Sequence, residues 1–313
     1  MRRDYSYVIC KKVFTPSYSD EHHLFNNKIM KHKDDPTKGR NSKKGNPFPL
    51  PFACQEGHTD KAVMLIEQGA SVNEMETKGS YTPLHMACRK GYVATAVMLI
   101  EHGASLTEKA NNGATPLHVA CQDVHIATAL MLVEHGASVN EKDIDGLTPL
   151  HVACSQDHND LAVMLIEHGA SLTEKTKHGA TPLHVACNGG HIATALMLIE
   201  HGASLTEKAL RGATPLHVAC HKGHNDTALM LVVQGSNLTD TDDDGNRPID
   251  VALLYNHSDL AAMLKEKFVC ARIECLNSPT SQCSRCLRTF YCSKECQVAD
   301  WRKHKKSCLK KKA

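Results

Sequence analysis

The segment Thr-Pro-Leu-His recurs every 33 residues, and this period limits what the chain can fold into more than any other feature. The full copies begin at Thr82, Thr115, Thr148, Thr181 and Thr214. A degenerate copy begins at Arg247, and a partial one at Phe48 precedes the first full copy by 34 residues. A repeat this short cannot bury an apolar core alone, so neighbouring copies must stack. We predict an array of about seven units, of which the outer two are degenerate.

Each repeat carries the signals of two short helices, as residues 113–145 illustrate. Thr115 can cap a helix by accepting a backbone N–H, and Pro116 suits the first helical position. A second helix is predicted from about Ile126 to Glu134, because Gly136 can adopt the left-handed conformation that ends a helix. The rest of the repeat forms a protruding turn. Apolar residues make up 42% of the chain and aromatic residues only 4%, which favours an all-α repeat solenoid with a core of small side chains.

The repeat resembles the ankyrin repeat. The resemblance rests on Gly-x-Thr-Pro-Leu-His-x-Ala, on a histidine before the second helix and on Leu-x-x-x-Gly-Ala. It covers about residues 46–268 and is closest in units two to six. The resemblance implies a helix-turn-helix stack whose turns project as β-hairpin fingers, with the first helices lining a concave binding face.

The copies differ mainly in two places, and these are the expected contacts with a partner. The fingertip positions are Asn111-Asn112, Ile144-Asp145, Lys177-His178 and Leu210-Arg211. The positions at the end of the first helix are Arg89-Lys90, Gln122-Asp123, Gln156-Asp157, Asn188-Gly189 and His221-Lys222. Exposed positions also vary without any function, and for a single residue that alternative stays open.

A histidine and a cysteine recur in the repeats, but neither series predicts a metal site. The histidines are His85, His118, His151, His184 and His217, and the cysteines are Cys54, Cys88, Cys121, Cys154, Cys187 and Cys220. One histidine per repeat lacks the closely spaced second ligand of a zinc site. The ankyrin resemblance implies that this histidine forms hydrogen bonds within and between repeats. The cysteines stand where ankyrin repeats usually carry alanine, so we expect buried thiols.

A second cluster of cysteines, with one histidine, occupies the C-terminal end of the chain. It consists of Cys270, Cys275, Cys283, Cys286, Cys292, Cys296, His304 and Cys308. Zinc in structural sites is held by four thiolate or imidazole ligands, and closely spaced pairs each supply two of them. Eight ligands therefore predict two Zn²⁺ ions. All eight positions are filled by protein, so neither ion has an open position for catalysis, and both are expected to be structural.

The segment Tyr291-Cys292-Ser293-x-x-Cys296-Gln297-x-x-Asp300-Trp301-x-x-His304 resembles a MYND-type zinc finger over residues 270–308. The resemblance implies a cross-braced module in which Cys270, Cys275, Cys292 and Cys296 hold one ion, and Cys283, Cys286, His304 and Cys308 hold the other. Four residues separate Cys270 from Cys275 where the family usually has two, so Cys270 departs from the pattern. The resemblance further implies that Gln297 and Trp301 bind a proline-containing peptide, although Trp301 could equally pack the finger.

The charge is segregated along the chain. Lys and Arg minus Asp and Glu give +6 for residues 1–46, −13 for residues 47–264 and +9 for residues 265–313. Residues 1–45 are basic and unpatterned and are expected to form a disordered arm, and residues 309–313 form a basic tail. No run approaches the ~20 apolar residues of a membrane span. The many cysteines and the lack of a secretory signal predict an intracellular protein of the cytoplasm or nucleus.

Two interaction modules and no catalytic set predict a non-catalytic scaffold or adaptor that binds other proteins. We expect a monomer that holds one partner on the repeats and a second on the finger. One alternative is a component of a ubiquitin-ligase or chromatin-modifying complex. Another is nucleic-acid binding through the basic C-terminal module, but no base-reading helix or stacking platform is visible there, so nucleic acid is the less favoured partner.

Overall fold

The computed structural model describes residues 50–76 and 80–267, together with two short strands at 281–282 and 290–291. Over residues 50–267, apart from that gap, fourteen α-helices form seven consecutive pairs. The first helices of the pairs are α1 Leu50–Gln55, α3 Pro83–Lys90, α5 Pro116–Gln122, α7 Pro149–Ser155, α9 Pro182–Gly189, α11 Pro215–Lys222 and α13 Pro248–Leu254. The second helices are α2 Thr59–Glu67, α4 Val93–Glu101, α6 Ile126–Glu134, α8 Asn159–Glu167, α10 Ile192–Glu200, α12 Asn225–Val233 and α14 Ser258–Lys267. One 3₁₀ turn lies at Leu210–Gly212.

The predicted solenoid is confirmed, because each helix pair packs on the next. First helices contact the first helices of neighbouring repeats, and second helices contact second helices. A continuous apolar core runs from Leu50 to Leu264 through all seven pairs. Its regular members are a leucine and an alanine from each helix, with Ile249 in place of the leucine in α13, and one cysteine from each of the first six repeats.

The helix boundaries follow from local sequence. In the third repeat, α5 begins at Pro116 and α6 spans Ile126–Glu134, as predicted. The positive φ of Gly136, 94°, lets the chain reverse after α6. The N–H of Gly136 then donates to the carbonyl of Val133, and the N–H of Ala137 donates to that of Leu132. This pair of bonds is the Schellman motif that satisfies the last carbonyls of a helix.

A buried histidine in each of repeats two to six links that repeat to the next. In repeat two, Nδ1 of His85 accepts the backbone N–H of Thr82 at 3.2 Å. The proton must therefore reside on Nε2, which donates to the carbonyl oxygen of Ala114 in repeat three at 3.0 Å. The same bond recurs from His118, His151, His184 and His217 to Leu147, Ala180, Ala213 and Asn246. Burial lowers the pKa of His85, His118, His151 and His184 to about 4, so these rings are neutral at pH 7.

A second series of histidines precedes the second helices and bonds one repeat backwards. Nε2 of His125 lies 3.1 Å from the carbonyl oxygen of Arg89, and His191, His224 and His257 make the equivalent bond. Of the five histidines that precede the second helices of repeats three to seven, His158 is the one whose ring makes no such bond. The exception coincides with a change in the preceding repeat, at the residue that faces the ring in the other pairs.

That residue is Val124, which occupies a left-handed position. Its φ is +63°, and the equivalent glycine of the second repeat, Gly91, has a φ of +72°. A Cβ at Gly91 would lie 2.5 Å from Nδ1 of His125. A Cβ alone does not remove the bond, since Asp157 holds the equivalent position in the next repeat and His191 keeps its bond. The feature particular to Val124 is its β-branched side chain, to which we attribute the missing bond of His158.

The fingers between repeats are tight turns. In the third repeat the N–H of Ala110 donates to the carbonyl of Ala114 at 2.9 Å and closes the turn. Each described finger from residue 110 onwards repeats this closing bond and adds a second bond inside the turn, which in this finger runs from the N–H of Gly113 to the carbonyl of Ala110. The described residues of these fingers contain no strand. The predicted β-hairpin fingers are therefore hairpin turns without flanking strands. None of the helices over residues 50–76 and 80–267 has the length and apolarity to cross a bilayer.

Acid should destabilise the solenoid through the buried histidines. Their pKa is lowered from 6.5 to about 4 on folding, so the unfolded chain binds more protons at mildly acidic pH. The contribution of these histidines to the free energy of unfolding is complete above pH 6.5 and is lost as the pH falls towards 4. At pH 5.5 the loss is about 1 kcal/mol per histidine. Urea unfolding followed by circular dichroism at pH 7.5 and 5.5 measures this loss. A free energy of unfolding that stays constant over this range would contradict the assignment. His135→Gln, which removes an exposed imidazole, should leave the pH dependence intact.

Replacing Val124 with glycine should stabilise the protein by roughly 1 kcal/mol, because a β-branched residue is strained at positive φ. The change should also restore the hydrogen bond of the His158 ring. The free energy of unfolding and the ¹⁵N shifts of the His158 ring report the two effects separately. The matched control is Gly190→Val, which places a branched Cβ against the His224 ring and should destabilise the chain. A lower unfolding midpoint for Val124→Gly would show that this turn has adapted to valine.

Candidate protein-interaction surface and zinc centre

The fingertips of successive repeats are joined into one ribbon. The N–H of Ile144 donates to the carbonyl of Asn112 at 3.0 Å, and that of Lys177 donates to Asp145 at 2.9 Å. Equivalent bonds link Leu210 to His178 and Asp243 to Arg211. The bonds that recur at every step join backbone atoms, so the side chains of the tips can differ from repeat to repeat.

The predicted fingertip residues therefore lie side by side along one edge of the stack. Ile144 and Leu210 are 48% and 49% exposed, which is unusual for large aliphatic side chains. Lys177 lies exposed on the finger between them. Arg211 is paired with Asp244 of the following finger at 3.6 Å. The edge thus offers two apolar side chains separated by a cation, in a fixed order.

The ends of the first helices form a second row of varied residues. Helix α7 ends at Ser155, so the pair equivalent to Gln122-Asp123 is Ser155-Gln156 rather than the predicted Gln156-Asp157. Asp157 instead occupies the left-handed position, with a φ of +60°. Its Oδ1 lies 2.6 Å from the Thr194 hydroxyl, which donates to it. Asp157 therefore serves the contact between repeats four and five.

Near the other end of this row, His221 packs edge-on against Tyr255, with ring centroids 4.0 Å apart. Burial, with a smaller effect from the adjacent Lys222, lowers the pKa of His221 to about 4. The row therefore ends in a neutral imidazole held edge-on against a phenol ring, which is a contact suited to an apolar or aromatic side chain of a partner.

A row of lysines fixes the base of each finger, and the sequence analysis did not identify it. Nζ of Lys142 donates to the carbonyl of Lys175 at 3.1 Å and pairs with Glu174 at 2.7 Å. Lys109 and Lys175 make the equivalent two contacts with the following repeat, and Lys208 makes the carbonyl contact. The signal was the Glu-Lys pair that recurs every 33 residues. Exposed ion pairs contribute about 0.2–1 kcal/mol each, so the row orients the fingers more than it stabilises them.

The repeats contain no metal centre among the residues that the structure describes. Both ring nitrogens of the buried histidines are occupied by hydrogen bonds, as in His151, whose ring bonds to Thr148 and Ala180. The repeat cysteines are buried, and burial raises the pKa of Cys54 and Cys220 to about 12. Burial raises the pKa of the other four as well. A protonated buried thiol is neither a metal ligand nor a nucleophile.

The predicted zinc ligands all lie outside the described residues, as do Gln297 and Trp301. The structure describes one feature of their segment, an antiparallel pair of strands, β1 Ser281–Gln282 and β2 Phe290–Tyr291. Ser281 pairs with Tyr291, and Gln282 pairs with Phe290. In the sequence, Cys283 directly follows β1 and Cys292 directly follows β2.

The donor set of this segment fits zinc. Seven thiols and one imidazole are soft and borderline ligands of the kind that structural zinc sites use, and no carboxylate is needed to complete four-coordination. The six repeat thiols are buried in the core, so they are not available to this metal site.

Comparison with known families agrees with both modules. A family model for ankyrin repeats in three copies matches residues 25–110, 50–143 and 140–209. A second, for many copies of ankyrin repeats, matches residues 198–252. A model for the MYND finger, a zinc-binding domain, matches residues 269–308. Both kinds of module bind proteins. The ankyrin match covers more than half of the chain, so the protein belongs to the ankyrin-repeat family and carries a MYND finger at residues 269–308.

Proposed function

We propose that this protein is a non-catalytic adaptor that holds one partner on the fingertips and first-helix ends and a second partner on the MYND finger. The observation that carries the proposal is the fingertip ribbon. Its backbone is the same from repeat to repeat, whereas its side chains run from Asn111 through Ile144, Lys177 and Leu210 to Asp243. Such a surface combines a rigid support with a specific order of contacts, which is what selective protein recognition requires.

The finger is proposed to hold two structural Zn²⁺ ions and to bind a proline-containing peptide through Gln297 and Trp301. Cys270, Cys275, Cys292 and Cys296 would hold one ion, and Cys283, Cys286, His304 and Cys308 the other. Bound zinc supplies folding free energy, on the order of 10 kcal/mol per site in small zinc peptides. The eight protein ligands supported by the donor set leave no position for a substrate.

We further propose that the protein acts as a monomer in the cytoplasm or nucleus. Zinc binding needs thiolates, and a reducing compartment keeps them available. The six buried cysteines of the repeats are free thiols in the structure, which fits the same environment.

Purified protein should contain two zinc ions per chain. Cys292→Ser and Cys308→Ser should each lose about one ion, because the two residues belong to different sites. Elemental analysis by plasma mass spectrometry measures the ratio. Cys121→Ser, which changes a buried repeat thiol, is the matched control and should keep both ions. A single ion in the parent chain would reject the double site.

An adaptor should have two separable sets of partners, and affinity capture with the full chain tests this. The double variant Ile144→Ser with Leu210→Ser should lose the partners of the fingertips and keep those of the finger. Cys308→Ser should do the reverse. Gln68→Ser, at an exposed position after α2 and outside both proposed surfaces, is the control for nonspecific effects. If both variants lose the same proteins, the chain holds one composite partner and the adaptor proposal is wrong.

A further inference from the structure

The solvent-facing side of helices α6, α8 and α10, here called the outer face, is unusually apolar. Ile126 and Ile192 are 36% and 39% exposed at the start of α6 and α10. Leu130, Val163 and Leu196 occupy the middle of the three helices and are half-buried. The second helices of neighbouring repeats are in contact, so these side chains form one continuous patch. Contiguous apolar surface of this kind marks an interaction site more often than an inert surface.

The same helices carry negative charge without any cation. Over the forty-five residues of α4, α6, α8, α10 and α12 there are six acidic residues and no Lys or Arg. Glu134, Glu167 and Glu200 end the three helices of the outer face, and all three are exposed. Asp160 adds a fourth exposed carboxylate at the start of α8. The lysines of the finger bases are committed to the carbonyl oxygens and glutamates of the next repeat, so they do not neutralise this row.

The spacing between the helices of the outer face matches the spacing of side chains along an α-helix. Packed helices lie about 8–10 Å apart, so equivalent side chains of successive repeats recur at that interval. Residues seven apart on an α-helix are separated by about 10.5 Å along its axis. A helix laid across α6, α8 and α10 can therefore place apolar side chains seven residues apart against Leu130, Val163 and Leu196 in turn.

We propose that the outer face binds a cationic amphipathic helix of another protein. The apolar side of that helix packs on the aliphatic patch, and its Lys or Arg side chains meet Glu134, Glu167 and Glu200. The carboxylates repel nucleic acid and anionic lipid surfaces, so neither fits this face. The fingertips and first-helix ends are separate from the outer face, and this site is independent of the adaptor surfaces proposed above.

The test uses the full chain and a designed helix of about 18 residues, with leucines on one side and lysines on the other, labelled with fluorescein. Fluorescence anisotropy should show binding that weakens as salt is added. A peptide of the same composition with the leucines scattered around the helix should bind at least about tenfold more weakly, because it lacks the apolar side. Equal binding of the two peptides would reduce the interaction to charge alone and overturn the proposal.

Substitutions on the outer face locate the site. Ala127→Arg and Ala193→Arg add charge at exposed helical positions, should leave helicity unchanged, and should weaken binding about tenfold or more. The triple change of Glu134, Glu167 and Glu200 to Gln should lower both the affinity and its salt dependence. Ala127→Leu should retain binding, and Gln156→Arg, which adds the same charge at a first-helix end, should change it less than about twofold.

Three further outcomes would overturn the proposal. The first is that the full chain does not bind the amphipathic peptide, and the second is that all variants bind it equally. The third is self-association: sedimentation would show a dimer that Ala127→Arg dissociates, and the occupant would then be a second copy of the chain.

Discussion

The structure depends on one backbone carbonyl oxygen per repeat, which accepts both the hydrogen bond that closes a finger and the hydrogen bond that joins this finger to the preceding repeat. The carbonyl of Ala114 accepts the N–H of Ala110, which closes the finger, and also Nε2–H of His85, which ties that finger to the preceding helix. Both lone pairs of a buried acceptor are thereby used, and removing either donor would leave part of it unsatisfied. The arrangement recurs at Leu147, Ala180, Ala213 and Asn246. Turn closure and repeat stacking therefore share one acceptor, and the imidazole that donates to it must be neutral because its Nδ1 accepts the N–H of Thr82.

Fixing the finger backbone in this way leaves some fingertip side chains without a structural role. Gly113 shows how close the backbones come, since a Cβ there would lie 2.6 Å from the N atom of Ile144. The glycine must stay, and Oδ1 of Asn112 accepts the N–H of Ala114, whereas Asn111 carries neither constraint. Selection for binding can then change Asn111, Ile144 or Lys177 without a cost in stability. The varied positions found in the sequence lie where the structure tolerates variation.

The sequence predicts this fold well because its signals are local. Proline after threonine begins a helix at Pro116, and glycine after the second helix ends it, in the structure as in the prediction. Val124 stands where repeats two, five and six carry Gly91, Gly190 and Gly223, so the sequence alone marks its position as left-handed, as the structure shows. Contacts between repeats are harder to predict, because the Glu-Lys period marks the lysine row but not the carbonyl that each lysine reaches in the next repeat. The error of one residue at Asp157 is different, because the 33-residue period already aligns Ser155-Gln156 with Gln122-Asp123. The zinc ligands remain predictions, as they lie outside the described residues.

The outer face and the fingertips differ in how well each can fix the position of a bound partner along the stack. A surface that repeats every 33 residues offers a partner the same contacts at each step, so Leu130, Val163 and Leu196 cannot by themselves fix where a bound segment begins. The fingertips change at every step, so a partner that recognises Ile144 and Leu210 around Lys177 has one register only. A uniform side gives affinity through repetition, whereas a varied side gives specificity through order. A chain built from nearly identical repeats can therefore remain selective as long as one edge of the stack is free to vary.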